Sequence, residues 1–176
     1  MSPAVAASLK SRIQDVPDFP KKGIVFKDIT PLLGDPKAFA AMTDAIAERY
    51  TGKGVTHVAG IESRGFLLAS AAAYKLGAGL VPIRKKGKLP RKTLTESYAL
   101  EYGTDSIEMH ADAVDARSRV VLVDDVIATG GTARAALELL TKTGAKVLGA
   151  SFLIELDFLK GREKLAGWDL HSLLHY

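Results

Sequence analysis

The sequence of 176 residues contains no cysteine. Disulfide bonds, a cysteine nucleophile and thiolate ligands for a metal are therefore excluded. Because a chain without disulfides suits a reducing compartment, we expect a cytoplasmic protein. The first ten residues lack the basic start and the long hydrophobic segment of a signal peptide. No apolar run approaches the roughly 20 residues that span a bilayer, so we expect no membrane partner.

Two common phosphate-binding motifs are also missing from the sequence. It contains no Gly-x-x-x-x-Gly-Lys-Ser/Thr, which holds nucleotide phosphates in P-loop proteins. No Gly-x-Gly-x-x-Gly opens a helix after a predicted strand, as it does in Rossmann domains. These absences argue against ATP cleavage through a P-loop and against a dinucleotide cofactor.

Positive charge is concentrated in one short segment. The net charge is only +4, and six cations lie within nine residues, so the rest of the chain is slightly acidic. A local basic patch suits a small polyanion at least as well as a polymer, and we expect no nucleic-acid partner. RNA binding through the patch is kept as a weaker hypothesis, which predicts a steep salt dependence. The six cations are Arg84, Lys85, Lys86, Lys88, Arg91 and Lys92.

Hydrophobic periodicity predicts an α/β chain in which strands and helices alternate. The length and the 47% hydrophobic content suit a single domain over residues 1–176. Strands separated by helices favour a mostly parallel twisted sheet flanked by helices, which binds ligands at the carboxyl ends of its strands. We predict helices over residues 5–13, 36–50, 66–76 and 133–143, with Gly144 as the last C-cap, and strands over residues 57–61, 80–83, 120–123 and 147–156.

The segment between the second and third of these strands has a different pattern. Residues 84–95 are basic and include Gly87 and Pro90, which indicates a mobile, solvent-facing loop. Residues 97–102 and 106–110 flank Gly-Thr-Asp, a pattern typical of a β-hairpin. We therefore expect a flexible loop and hairpin over about residues 84–110.

The strongest chemical feature is the run Val-Val-Leu-Val-Asp-Asp-Val-Ile-Ala-Thr-Gly-Gly-Thr-Ala from Val120 to Ala133. An apolar strand carries two adjacent carboxylates, Asp124 and Asp125, to its end. A small loop follows, and a helix begins within it. The two glycines let the backbone approach a ligand closely, and the threonines add hydroxyl donors. Unpaired amides at a helix N-terminus bind a phosphate without a cationic side chain.

The two carboxylates would repel a phosphate placed beside them. They are better suited to hydroxyl groups or to a metal ion. One ligand with a phosphate at one end and a diol near its middle accounts for both halves of the motif. The run therefore predicts a binding site for ribose 5-phosphate.

This run resembles the phosphoribosyl pyrophosphate motif of the type I phosphoribosyltransferases, and the resemblance continues along the chain. It covers roughly everything beyond the first dozen residues and is similar to the adenine phosphoribosyltransferase family in particular. The fold implied is a mostly parallel sheet with a flexible β-hairpin hood. The segments that carry this resemblance are Pro17-Asp18-Phe19-Pro20, Gly23-Ile24-Val25-Phe26-Lys27-Asp28, Ser63-Arg64-Gly65-Phe66, Arg84-Lys85-Lys86-Gly87-Lys88-Leu89-Pro90, Leu100-Glu101-Tyr102-Gly103, Lys160-Gly161-Arg162-Glu163-Lys164-Leu165 and Ser172-Leu173-Leu174.

The resemblance implies roles for individual residues in binding phosphoribosyl pyrophosphate. Asp124 and Asp125 would bind the ribose hydroxyls. The pyrophosphate loop would include Glu62, Ser63 and Arg64, with a cis Glu62–Ser63 peptide bond. The basic residues near the pyrophosphate would be Arg84, Lys85 and Lys88. The 5-phosphate would lie against Ala128, Thr129, Gly130, Gly131 and Thr132.

Further residues are implied for the base and for catalysis. Glu101 and Tyr102 would lie on the hood, and the catalytic residues would be Glu101, Arg64 and Lys85. The family pattern leads us to expect arginine where this chain has Lys27. The change matters little if main-chain groups recognise adenine, whereas it weakens base binding if the guanidinium plane is needed. The base pocket would be formed by Val25, Phe26, Lys27, Val126 and Leu156.

The activity implied is transfer of the phosphoribosyl group from phosphoribosyl pyrophosphate to adenine, a purine salvage reaction that yields AMP and pyrophosphate. The cofactor would be Mg²⁺, held mainly by the substrate without a direct protein ligand, and a homodimer is expected. Two alternatives remain: transfer to another base such as hypoxanthine, guanine or orotate, and a non-catalytic nucleotide-sensing relative. Comparing the turnover of adenine with that of hypoxanthine tests the first alternative.

Overall fold

The computed structural model describes residues 1–99 and 103–176. Internal contacts divide the chain into two compact units, residues 1–45 and residues 46–176. Glu101 and Tyr102, which the resemblance places on a hood, lie outside the described residues. Among the helices of the described ranges, none combines the length and hydropathy needed to cross a bilayer.

The first unit begins with helix α1 (Pro3–Lys10), followed by strands β1 (Gln14–Pro17) and β2 (Val25–Asp28), which pair antiparallel. The turn between these strands contains a cis Phe19–Pro20 peptide bond. Short helix α2 (Thr30–Gly34) then leads to Asp35. The β1–β2 hairpin was not predicted, because two four-residue strands with several polar positions carry almost no periodicity.

Helix α3 (Pro36–Glu48) begins where the sequence places it. The Asp35 carboxylate accepts the backbone N–H groups of Lys37 at 2.9 Å and Ala38 at 3.1 Å. These bonds satisfy amides that have no partner within the helix, and proline at the first position needs none. The helix stops two residues before the predicted end.

The second unit is built on a seven-stranded sheet. Its strands are β3 (His57–Ile61), β4 (Gly79–Lys85), β5 (Thr93–Ala99), β6 (Thr104–His110), β7 (Arg119–Ile127), β8 (Lys146–Glu155) and β9 (Leu170–His175). The spatial order is β5-β6-β4-β3-β7-β8-β9. The five strands from β4 to β9 in that order are parallel, while β6 runs antiparallel to both β4 and β5. The mostly parallel α/β sheet is confirmed.

Helices cover the two faces of this sheet. Helix α4 (Arg64–Leu76) packs on β3 and β7, and helix α5 (Gly131–Thr141) packs on β5 to β8. Strand β7 shows why its sequence is continuously apolar. Val120 and Leu122 belong to the core cluster that contains α5 side chains. The alternate residues Val121 and Val123 are also fully buried.

Several predicted boundaries were wrong. Strand β7 continues through the acid pair to Ile127, because residues 124–127 pair with β8. The basic loop is shorter than predicted, since Arg84 and Lys85 belong to β4 and Thr93 starts β5. The hairpin strands are correspondingly displaced from residues 97–102 and 106–110. Helix α5 starts and ends two residues earlier than predicted and is capped by Lys142 rather than Gly144.

Three elements at the end of the chain were not predicted. The 3₁₀-helices Asp157–Leu159 and Gly161–Leu165 follow β8. Strand β9 then adds a parallel edge to the sheet. Such short elements depend on tertiary contacts more than on local propensity. As shown below, the second 3₁₀-helix lies directly against the predicted phosphate loop.

Candidate active site

A cavity of about 420 Å³ lies within the second unit at the carboxyl ends of β3 and β7. This is the edge at which parallel α/β sheets bind ligands. The cavity brings together three groups predicted from separate parts of the sequence: the pyrophosphate loop, the acid pair and the phosphate loop. Its lining consists of Ile61, Glu62, Ser63, Arg64, Lys85, Tyr98, Asp105, Ile107 and residues 124–133.

The phosphate loop, residues 128–132, joins β7 to α5. Gly130 is the N-cap of the helix and has a φ of 78°, a backbone conformation that glycine adopts without strain. As a glycine, Gly130 has no side chain with which to cap this end of α5. The first amides of an α-helix have no partner within the helix, and here they begin at the cavity lining, where an anion can bind them. Thr129 and Thr132 add hydroxyl groups to the same lining.

The phosphate loop rests on the second 3₁₀-helix. A Cβ atom placed on Gly161 would lie 2.2 Å from the Ala128 carbonyl oxygen and 2.9 Å from the Gly130 nitrogen. A Cβ on Gly130 would in turn lie 2.3 Å from the Gly161 oxygen. The two backbones thus touch without room for a methyl group. Gly161 belongs to one of the segments that carry the family resemblance, but sequence analysis assigned it no role.

The acid pair is enclosed by protein. The Asp125 amide donates to Asp124 Oδ1 at 2.9 Å, and Arg64 Nη2 lies 2.7 Å from Asp125 Oδ2. Asp124 keeps some surface in the cavity, yet burial, followed by the charge of Asp125, raises its pKa well above the usual range. Burial also raises the pKa of Asp125, and the Arg64 guanidinium opposes this shift. Burial thus makes ionisation of this acid pair unfavourable. Ligand groups that donate hydrogen bonds to the carboxylates would stabilise the ionised form.

Close packing next to the acid pair involves Gly65 at the start of α4. A Cβ on Gly65 would lie 2.3 Å from Asp124 Oδ1. The φ of Gly65 is not in the left-handed region, so the requirement for glycine here comes from space alone. Because Arg64 and Gly65 are adjacent, the first turn of α4 both pairs with Asp125 and confines Asp124.

The pyrophosphate loop begins where β3 ends, and its Glu62–Ser63 peptide bond is cis, as the resemblance implied. The Glu62 side chain is only 7% exposed and binds two cations. Arg84 Nε donates to Oε2 at 2.8 Å, and Lys88 Nζ donates to Oε1 at 2.6 Å. Burial works against ionisation, but these donors outweigh it and hold the pKa of Glu62 below its usual value.

The third predicted cation of this region, Lys85, has a different partner. Its Nζ lies 3.1 Å from Asp105 Oδ2, and the hydrogen bond with Asp105 raises the pKa of Lys85. The Tyr98 hydroxyl donates to the same carboxylate at 3.3 Å. Tyr98 and Asp105 face each other across β5 and β6 and line the cavity. Sequence analysis missed both as site residues, because it placed Asp105 in the turn of the hairpin and not opposite Tyr98.

The residues predicted to bind the base occur in both units. In the first unit, Val25, Phe26 and Lys27 form most of β2, where the Phe26 ring meets that of Phe19 edge-on at 5.1 Å. Lys27 Nζ lies 2.6 Å from Asp15 Oδ1 across the β1–β2 pair. In the second unit, Val126 is in β7 and lines the cavity, and Leu156 follows β8. Their role in base binding stays a prediction.

Mg²⁺ is a hard cation that prefers oxygen ligands and keeps several waters. Among the described residues, the cavity offers four carboxylates, and cationic side chains already pair with three of them: Asp125 with Arg64, Glu62 with Arg84 and Lys88, and Asp105 with Lys85. The fourth is Asp124. This donor set fits an ion that arrives with substrate phosphates rather than a dedicated protein cage. Away from the cavity, ligand atoms of Glu155, Asp157 and His175 lie within 4.8 Å of one another. Arg162 already neutralises that Glu155, at 2.6 Å.

The family model for the phosphoribosyl transferase domain matches residues 30–171. A parallel sheet that places a phosphate loop, an acid pair and a cis-peptide loop around one cavity thus defines a phosphoribosyltransferase domain. Over nearly the full length, the chain is 56% identical to adenine phosphoribosyltransferase of Thermobifida fusca, covering 98% of each protein. It is 56% identical to the enzyme of the same name from Acidothermus cellulolyticus, covering 99% of each.

Solved structures agree with these sequence relationships. The adenine phosphoribosyltransferase of Rhodothermus marinus matches with a TM-score of 0.96 and 51% identity, over 99% of this chain and 100% of that one. The Saccharomyces cerevisiae enzyme, solved with an imino-altritol bisphosphate and adenine, matches with a TM-score of 0.92 and 41% identity, over 97% of this chain and 99% of that one. The chain belongs to the adenine phosphoribosyltransferase family.

Proposed function

We propose that this chain transfers the 5-phosphoribosyl group of phosphoribosyl pyrophosphate to adenine, giving AMP and pyrophosphate in purine salvage. Family membership over nearly the whole chain supports this activity. The observation that carries the mechanism is the single cavity shared by the phosphate loop, the acid pair and the pyrophosphate loop. Each group matches one part of the donor substrate.

The phosphate end of the substrate is assigned to residues 128–132. Their glycine-rich backbone and the start of α5, where the N-cap residue is a glycine, direct N–H groups and the positive end of the helix dipole at the anion. Thr129 and Thr132 supply hydroxyl donors. A phosphate monoester bound there leaves its ribose within reach of the strand that precedes the loop.

The ribose is assigned to Asp124 and Asp125. Two hydroxyl groups donate to carboxylates without adding negative charge, which a second phosphate in this position would do. Burial raises the pKa values of both acids, so the ionised pair needs compensating interactions. Hydroxyl donors of the ribose and a nearby cation supply them when the substrate binds. Arg64 limits the charge repulsion within the pair.

The pyrophosphate is assigned to Ser63, Arg64, Arg84, Lys85 and Lys88, next to Glu62. Departure of pyrophosphate leaves cationic character on the ribose and concentrates negative charge on the leaving group. Preorganised cations stabilise that charge as it develops. The C1–oxygen bond breaks largely before N9 of adenine attacks from the opposite face, so the configuration inverts and the β-nucleotide forms.

When bound, Mg²⁺ supplies further neutralisation of the leaving pyrophosphate. The chain's own contribution is to hold the two ends of the substrate and to exclude water, which would otherwise capture the ribosyl cation. The hood that carries Glu101 and Tyr102 is assigned the role of closing the cavity. Glu101 is further assigned to proton transfer or hydrogen bonding at the base, with Arg64 and Lys85 acting at the pyrophosphate.

The decisive experiment compares adenine and hypoxanthine as acceptors with Mg²⁺ and phosphoribosyl pyrophosphate, with AMP and IMP measured separately. We expect rapid AMP formation, much slower IMP formation, and loss of activity in excess EDTA that added Mg²⁺ restores. Absence of AMP with Mg²⁺ present would refute the proposed function. Faster IMP formation would reassign the acceptor while retaining the phosphoribosyl chemistry.

A cytoplasmic homodimer is proposed as the assembly. In the second unit, α4 exposes 51% of Leu67 and 89% of Tyr74. These residues are seven positions apart, so they lie on the same face of the helix two turns apart. An isologous contact between two copies of α4 would cover both side chains.

A further inference from the structure

The loop between β4 and β5, residues 86–92, is held by a buried carboxylate outside the groups described above. Glu108 lies in β6, opposite Arg84 of β4 and Thr95 of β5. Only 4% of its surface is exposed. A carboxylate is costly to bury unless hydrogen-bond donors compensate for the lost water. The groups that donate hydrogen bonds to Glu108 therefore show which part of the chain depends on it.

Glu108 Oε1 accepts three consecutive backbone N–H groups. They come from Gly87 at 3.0 Å, Lys88 at 3.1 Å and Leu89 at 3.0 Å. The other oxygen, Oε2, lies 3.3 Å from the Thr93 hydroxyl. Consecutive amides that converge on one point form an anion-binding nest. In this loop the nest is filled by the chain's own carboxylate, so the backbone of the loop takes its shape around Glu108.

Lys88 connects this nest to the cavity. Its backbone N–H binds Glu108, while its Nζ lies 2.6 Å from Glu62 Oε1 at the pyrophosphate loop. Arg84 Nη1 also donates to the Lys88 carbonyl oxygen at 3.3 Å. The lysine is therefore fixed at its backbone, and its charged end reaches Glu62, a residue that lines the cavity. A shift of the loop would move that charge away from the leaving group.

We propose that Glu108 is a positioning residue for pyrophosphate recognition, acting by holding the Gly87–Leu89 amides so that Lys88 stays paired with Glu62 at the edge of the cavity. This inference rests on the proposed function. It differs from a purely structural role in one measurable respect. Loss of the nest weakens binding of phosphoribosyl pyrophosphate and of pyrophosphate, but leaves the affinity for adenine unchanged.

The test uses the full chain with Glu108→Gln and Glu108→Ala. The glutamine keeps the shape and one carbonyl acceptor, whereas alanine leaves three amides without their acceptor. We expect the KM for phosphoribosyl pyrophosphate to rise by roughly tenfold in Glu108→Ala and by less in Glu108→Gln. Calorimetric binding of inorganic pyrophosphate with Mg²⁺ provides a readout independent of turnover and should weaken in parallel.

Two controls separate the nest from the remaining interactions of the loop. Thr93→Val removes only the hydroxyl at Oε2 and should change the KM by less than about twofold. In a double-mutant cycle, Lys88→Ala should remove most of the additional effect of Glu108→Ala, because both changes act through the same charge. Additive effects would overturn the proposed route through Lys88.

Chemical rescue supplies a third readout. The space left by Glu108→Ala faces three N–H donors, so formate or acetate should bind there and partly restore pyrophosphate affinity. Neither anion should improve the wild type. A KM for phosphoribosyl pyrophosphate that stays at the wild-type value in Glu108→Gln and Glu108→Ala would overturn the inference. So would an equal loss of affinity for adenine and pyrophosphate, which indicates general unfolding.

The wild-type assay distinguishes this inference from the proposed function. If the wild type forms no AMP from adenine, the proposed function fails first. If the wild type is active while all Glu108 variants match it, only the inference about Glu108 fails.

Discussion

At the scale of single residues, the buried acid pair lowers the stability of the folded protein when it is ionised, although the proposed function needs its carboxylates. Asp124 and Asp125 are neighbours in β7, and protein surrounds them closely enough for burial to raise both pKa values. A raised folded-state pKa means that the folded protein favours the protonated acid more than the unfolded chain does. The resulting stability is present at acidic pH and is lost as pH rises through the folded-state pKa.

Asp124→Asn keeps the shape of the side chain and removes its charge. We expect the variant to melt above the wild type at pH 8, by roughly 2–4 °C for each kcal/mol of relieved destabilisation. The difference should shrink towards pH 4, where the folded protein holds this acid protonated and only about half of the unfolded chains carry it ionised. Affinity for phosphoribosyl pyrophosphate should fall by about tenfold or more, because a carboxylate that accepts ribose hydroxyls is lost.

Asp112→Asn is the matched control for this pH dependence. Asp112 is exposed and pairs with Arg91, whose hydrogen bond lowers the pKa of Asp112. The variant should not melt above the wild type at pH 8. A Tm increase in Asp124→Asn that is the same at pH 4 and pH 8 would contradict the charge-based explanation.

At the scale of elements, the geometry of the phosphate loop depends on a second layer of chain. The 3₁₀-helix Gly161–Leu165 touches residues 128–130 through backbone atoms. Arg162 of this helix donates to both oxygens of Glu155, at 2.8 Å and 2.6 Å, and Ser172 of β9 donates to the same carboxylate at 2.6 Å. This network joins the 3₁₀-helix to the end of β8 and to the middle of β9, next to the predicted phosphate loop.

Gly161→Ala should therefore displace the phosphate loop. The added methyl group would overlap the Ala128 carbonyl, and overpacking of this kind costs about 1–3 kcal/mol. We expect a lower Tm and a KM for phosphoribosyl pyrophosphate raised by roughly tenfold, with the KM for adenine little changed.

Gly34→Ala is the control for Gly161→Ala. Gly34 has no positive φ, and a Cβ placed there would have no neighbour within 4 Å. Wild-type kinetics are expected for this control. Wild-type kinetics for Gly161→Ala as well would mean that the loop tolerates the methyl group and is not shaped by this contact.

At the scale of the whole molecule, α4 exposes two large hydrophobic side chains, Leu67 and Tyr74, on one face. Tyr74→Asp places a charge in the centre of the proposed contact, so the dimer should dissociate at concentrations where the wild type remains dimeric. Light scattering coupled to size-exclusion chromatography measures the mass directly. Phe158→Asp changes another exposed aromatic residue, 72% exposed, and should leave the mass unchanged. A monomeric wild type, or a Tyr74→Asp dimer, would contradict this assembly.

Local features were the ones that could be predicted from sequence. The Asp35 cap and the boundaries of β3 depend on neighbours within a few residues, so local patterns are sufficient to locate them. The run from Val120 to Ala133 encodes a strand, two acids, a glycine turn and a helix start in chain order. The prediction that this run binds ribose 5-phosphate was made from that order alone. The adenine specificity came from resemblance, since no residue pattern identified the base.

The remaining features were decided by tertiary structure. Glu108 meets residues 87–89, and Gly161 meets residues 128–130, only because strand register and sheet order bring distant segments together. The pairing of Glu62 with Arg84 and Lys88 likewise required β3 and β4 to be neighbours. The sequence by itself determined the α/β class and the residue types of the predicted phosphate motif, because both depend on the order of residues along a short stretch of chain. Tertiary structure decided which charges neutralise one another and which glycines must remain glycines, because those properties depend on distances across the sheet.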